Sequence, residues 1–324
     1  MSRLEKTIGA RSVLTLLIIT ALLRIGFMFG ADLWITEQAL NQPEIYYAFS
    51  MLHEIVTIGI PVFVFIYLFR PRYMPVLKAQ MAYPPLGASL RTVLAAIVGA
   101  VALELFIAIW GVLLEALHVV IRVPDVPLPG NGAQIILAVA AVCITPAVLE
   151  ELLFRGAVLE GLKRELPQKA ALWLSALLFA FMHGSLIGLP AHVALGLIIT
   201  LLAIRQGNLQ LPMIYHFSHN AASLLISLYI RNIMEGVNLE AQAEAMQGTS
   251  MLPAVLSVLS TAVMAAFAFW LLIRPLLAPT KEGKSTQAAV ESRLPHDRRR
   301  MVIVLTAILL LLLLPFYALD FLPV

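Results

Sequence analysis

The residues able to do chemistry in this chain sit at helical spacing inside apolar sequence. Glu150, Glu151 and Arg155 fall in one stretch, His183 follows Phe179 by four positions, and Asn220 follows His216 by four. A four-residue step returns to the same face of an α-helix, so the members of each pair share a side. Glu151 can therefore pair with Arg155. Glu150 lies about 100° round the helix and is free to point elsewhere. Taking a carboxyl group out of water favours its neutral form, which suits a base acting on water near neutral pH. A neutral imidazole can share that water or pass a proton to a leaving amine. A second imidazole and an amide can donate hydrogen bonds to a developing oxyanion. Together these parts describe amide hydrolysis without a covalent enzyme intermediate. The same Glu150, His183 and His216 could instead hold Zn2+, which would acidify a bound water. His53-Glu54 is followed by Ile55, Val56 and Thr57, so the zinc pattern His-Glu-x-x-His is absent.

The elements that must position these groups are membrane helices. The chain of 324 residues is 60% hydrophobic and 13% charged, with a mean hydropathy of +0.91. A soluble domain carries about 25% charged residues. Spans of roughly 20 apolar residues are expected at 12–30, 45–69, 92–118, 133–157, 170–187, 190–205, 209–230, 251–273 and 301–319. The fold class is an all-α polytopic bundle of about nine spans, or eight if the short sixth is not one. Leu309 to Leu314, an unbroken leucine run, is the plainest lipid-facing segment. The first run follows Arg3, Lys6 and Arg11 and lacks a small-residue cleavage site, so it reads as a retained span. Cys143 stands alone in an apolar run and reads as a small buried hydrophobe.

Basic residues alternate between loops. Arg70, Arg72, Lys78 and Arg91 follow the second span, Lys163, Arg164 and Lys169 the fourth, and Arg274 to Arg300 the eighth. Residues 31–44 and 232–250 carry acids and no lysine or arginine. This places the N-terminus in the cytoplasm. The stretch 276–300 reads as a flexible basic linker whose charges serve topology and lipid headgroups, not nucleic acid. Counting from the inner span ends puts Glu150 and His216 at about 10 Å depth. With His183 somewhat deeper, one site is expected in the cytoplasmic half. The domain division is 1–132, a core at 133–231, and 232–324. Short loops and the lack of a targeting signal fit a multi-pass protein of a bacterial cell membrane.

Other polar residues have simpler readings. Arg24 snorkels or pairs with an acid of a neighbouring span. His53 and Glu54 lie in the outer half of the second span and His192 near a membrane interface, while Glu104 and Glu115 in the third could face the bundle, Glu104 as a minor site candidate. His219 rivals His216 for a site role.

The order Glu-Glu-x-x-x-Arg, then Phe-x-x-x-His, then His-x-x-x-Asn resembles the CAAX-protease and bacteriocin-processing family of intramembrane proteases, also called the Abi or type II CAAX prenyl endopeptidase family. The resemblance covers about residues 133–231. It implies an all-helical endopeptidase acting on a membrane-associated peptide or protein, prenylated in the eukaryotic members. It implies Glu150 as the water-activating base, His183 as its assistant and His216 and Asn220 as oxyanion stabilisers. Glu151, Arg155 and Phe179 become supporting residues. Both a zinc mechanism and one without cofactor have been proposed for that family. The same acids and imidazoles could also serve a proton-coupled transporter, and a silent relative could act as a membrane scaffold or immunity protein.

Overall fold

The computed structural model describes residues 8–34, 39, 41–119, 126–235, 252–278 and 296–318. Among these residues the regular structure is all helical, with ten helices and no strand. They are α1 (Ala10–Trp34), α2 (Pro43–Leu68), α3 (Arg70–Gln80), α4 (Leu86–Ala116), α5 (Gly132–Lys163), α6 (Gln168–Met182), α7 (Leu189–Gln206), α8 (Gln210–Glu235), α9 (Leu252–Ile273) and α10 (His296–Ala318). By length and apolarity, six helices can cross a membrane: α1, α2, α4, α5, α7 and α9. The segments 168–182 and 301–314 are apolar but shorter. The expected seventh span is a 26-residue helix, α8, whose polar side chains give it two distinct faces. The basic segment after the second span is helical, as α3, where a loop was expected. The polar loop at 232–250 and the linker at 276–300 lie largely outside the described residues.

Prolines shape the helices that carry the site. In α2 the backbone widens to a π-helix over Ile55–Gly59, just before Pro61. In α5 it does so over Val139–Ile144, just before Pro146. Proline has no N–H for the carbonyl four residues back, and π-turns are a common way to accommodate such a break. A second π-turn in α5 covers Leu152–Val158 and includes Arg155. The broken segments pack side by side, since a Cβ on Gly59 would stand 3.2 Å from Leu149 Cδ1.

The main core gathers side chains from α1, α2, α5, α6, α7 and α8, including Leu17, Val62, Phe154, Phe179, Leu202 and Tyr215. Helix α8 packs along α4, which also carries α9, and α10 lies against α1. The α6–α7 contact is close because of Gly196. A Cβ there would approach Ala176 O to 2.9 Å and Phe179 Cδ1 to 3.1 Å.

Candidate active site

Glu151 and Arg155 form the buried centre of the site, both with fully shielded side chains. Arg155 Nη1 donates to Glu151 Oε1 at 2.8 Å, Nε to Thr200 Oγ1 at 3.3 Å, and Nη2 to Gly196 O at 3.2 Å. Its guanidinium lies 4.4 Å from the Phe179 ring centre, within cation–π range. Helix α7 thus supplies acceptors and α6 supplies a ring face to one charge on α5. Breaking such a pair from one side leaves an uncompensated buried charge.

The same Glu151 oxygen accepts from His216 Nδ1 at 2.9 Å. A carboxylate paired with a guanidinium accepts, so Nδ1 carries a proton. The other ring nitrogen, Nε2, stands 3.8 Å from Glu150 Oε2. That is beyond hydrogen-bond length. The adjacent carboxylates of α5 therefore address opposite edges of one imidazole. Glu150 is 5% exposed and its Oε2 has no hydrogen-bond partner among the described residues.

His183 is the residue at which α6 ends, and Gly184 follows in the left-handed region at φ 63°. Its Nδ1 lies 2.8 Å from Phe179 O. A carbonyl oxygen only accepts, so Nδ1 bears the hydrogen and Nε2 keeps its lone pair. The ring meets Phe179 edge-on at 4.6 Å and stacks on His192 at 4.1 Å. Phe179 thus lies between Arg155 and the two site histidines, His216 being 5.9 Å away.

Asn220 Nδ2 donates to Val142 O at 2.8 Å. Val142 lies four residues before Pro146, so this is a carbonyl that the missing proline N–H leaves without its α-helical donor. Asn220 therefore ties α8 to the break in α5 and retains one further N–H.

Glu150, His183, His216 and Asn220 line one cavity of about 590 Å³. The rival His219 and the minor candidate Glu104 line it too, as do residues given simpler readings: Arg24, His53, Glu54 and His192. Their spacing within one helix carries no sign of this, because the cavity is made between helices. His219 shares the cavity but stacks near Tyr215 at 6.3 Å, while His216 alone bonds Glu151. The lining residues come from the second half of α1, the first half of α2, the second half of α4, the middle of α5, the end of α6, the start of α7 and the first half of α8.

The three residues named as possible zinc ligands share this cavity without forming a ligand cluster. Among the described residues, no three His, Cys, Asp or Glu side chains are grouped to hold a metal ion.

No curated protein and no solved structure matched the chain. Residues 132–222, which contain every residue of the Glu150, His183 and His216 constellation, match the family model described as Type II CAAX prenyl endopeptidase Rce1-like, and this part of the chain is similar to that protease family.

Proposed function

We propose that the chain is an intramembrane endopeptidase that hydrolyses a peptide bond of a membrane-associated protein or peptide, a class that includes prenylated chains. The observation that carries this reading is the convergence of Glu150, His183 and His216 on one cavity. The Glu151 carboxylate behind His216 adds to it, as does the family match over the same residues.

The chemistry follows from the hydrogen-bond pattern. Glu150 takes a proton from water as the water oxygen attacks the scissile carbonyl carbon. Nε2 of His183 is an acceptor, so it orients that water and then relays the proton taken up by Glu150 to the departing amine. His216 in its protonated form has Nδ1 held by Glu151 and presents Nε2–H to the tetrahedral oxyanion. The Glu151 carboxylate and the oxyanion itself balance the imidazolium charge. The remaining amide N–H of Asn220 is a second donor. Collapse of the intermediate breaks the C–N bond and releases a carboxylate and an amine.

The test is cleavage of a lipidated peptide by purified protein in proteoliposomes, comparing wild type with His183→Ala and His216→Ala. Both variants are expected to lose at least about a hundredfold in turnover. Cleavage at the wild-type rate in either would overturn the assignment.

A further inference from the structure

Arg24 is the one lysine or arginine among the residues lining the cavity. It stands within electrostatic reach of Glu54, Glu150 and His183. Yet it makes no ion pair or hydrogen bond among the described residues, whereas Arg155 is fully engaged. A guanidinium keeps its charge under all ordinary conditions and offers five donors. Left unpaired at membrane depth, such a charge is costly and marks a functional site.

The cavity narrows what its partner can be. Arg24 lies about 9 Å at the helical rise before the end of the apolar span at Gly30, and it lines the cavity beside Glu150. A peptide chain entering that cavity reaches it. The preferred anion for the planar guanidinium fork in such a chain is a carboxylate, bound through two parallel hydrogen bonds.

Resting on the endopeptidase reading, we infer that Arg24 is an anchoring subsite for a substrate carboxylate, and that it fixes the distance between that group and the bond presented to Glu150. The carboxylate comes either from a free C-terminus or from an acidic side chain near the bond. Arg24 lies outside the segment that matches the protease family, so this subsite belongs to the α1 side of the cavity.

The test measures binding apart from cleavage. Full-length Glu150→Gln protein in nanodiscs is titrated with three N-acetylated apolar tripeptides. One ends in a free carboxylate, one in a carboxamide, and one is a carboxamide with a glutamate side chain. The free acid is expected to bind at least about tenfold more tightly than the plain amide, the effect of one charge-assisted contact. Adding Arg24→Gln should reduce that ratio to about threefold or less, and Arg24→Lys should keep part of it. Recovery of affinity by the glutamate amide assigns the anion to a side chain, and failure to recover assigns it to the C-terminus. Equal binding of acid and amide, or no binding of any probe, overturns the subsite. If the acid preference holds while wild type shows no cleavage that depends on Glu150, the subsite stands and the endopeptidase reading fails.

Discussion

Glu151 holds His216 Nδ1 at 2.9 Å with the same carboxylate oxygen that receives the Arg155 guanidinium at 2.8 Å. The imidazole is therefore fixed in tautomer and direction by a charge that is itself fixed from three helices. The proposed chemistry depends on this arrangement as much as on Glu150.

Replacing Glu151 by Gln should keep the shape and weaken the hold on His216. Turnover is expected to fall by about a hundredfold or more with little change in substrate affinity, since the contact matters most when His216 is charged. Steady-state kinetics on the lipidated peptide checks this. An unchanged kcat would separate Glu151 from the reaction.

Arg155→Met should act mainly on stability. It leaves Glu151 buried with His216 as its remaining partner and without its full counter-charge, an effect of about 3–5 kcal/mol. Thermal unfolding in detergent is expected to show a markedly lower midpoint, and Arg155→Met/Glu151→Leu should recover much of it without restoring activity. A single variant as stable as wild type would contradict the buried pair.

Pro146→Ala separates stability from function. Alanine supplies the N–H that proline lacks and removes a ring that costs about 3 kcal/mol in a helix interior. The α5 break should tighten, and the new alanine N–H should compete with Asn220 for Val142 O. The expected result is equal or higher thermal stability with turnover reduced about tenfold or more, because Glu150 follows the break by four residues. Full activity in this variant would show that the widened backbone does not set the site.

Much of this site could be read from four-residue spacings. Glu151 and Arg155, Phe179 and His183, and His216 and Asn220 each share a helix face because the spacing nearly equals one turn. The carbonyl freed by Pro146 was also legible, since it follows from proline chemistry alone. Its partner was not, because Asn220 lies in another helix. Arg24, Glu54, Glu104 and His192 reach the cavity through packing between helices, which no single-helix pattern encodes. The span count was blurred where function intrudes: α8 carries His216, His219 and Asn220, and α6 stops short at His183 and Gly184.

Gly196 should be intolerant of any side chain. A Cβ would sit 2.9 Å from the Ala176 carbonyl, forcing α6 and α7 apart and moving both Phe179 and the acceptor for Arg155. Gly196→Ala is expected to lower stability by about 1–3 kcal/mol and to reduce cleavage. Unfolding midpoints measured beside the rate test this, and an unperturbed variant would contradict the close helix contact.

The proposed mechanism uses only groups of the chain. Dialysis of purified protein against a strong chelator is expected to leave turnover unchanged. Loss of activity that added Zn2+ restores would require the site side chains to rearrange around a metal.

The central claim is that Glu150 activates the attacking water, and Glu150→Gln tests it most directly. The amide matches the carboxylate in size but cannot accept the proton. In proteoliposomes with a lipidated peptide, the variant is expected to retain its fold and peptide binding and to lose about a thousandfold or more in kcat. Cleavage by Glu150→Gln at a rate near that of wild type would contradict the account.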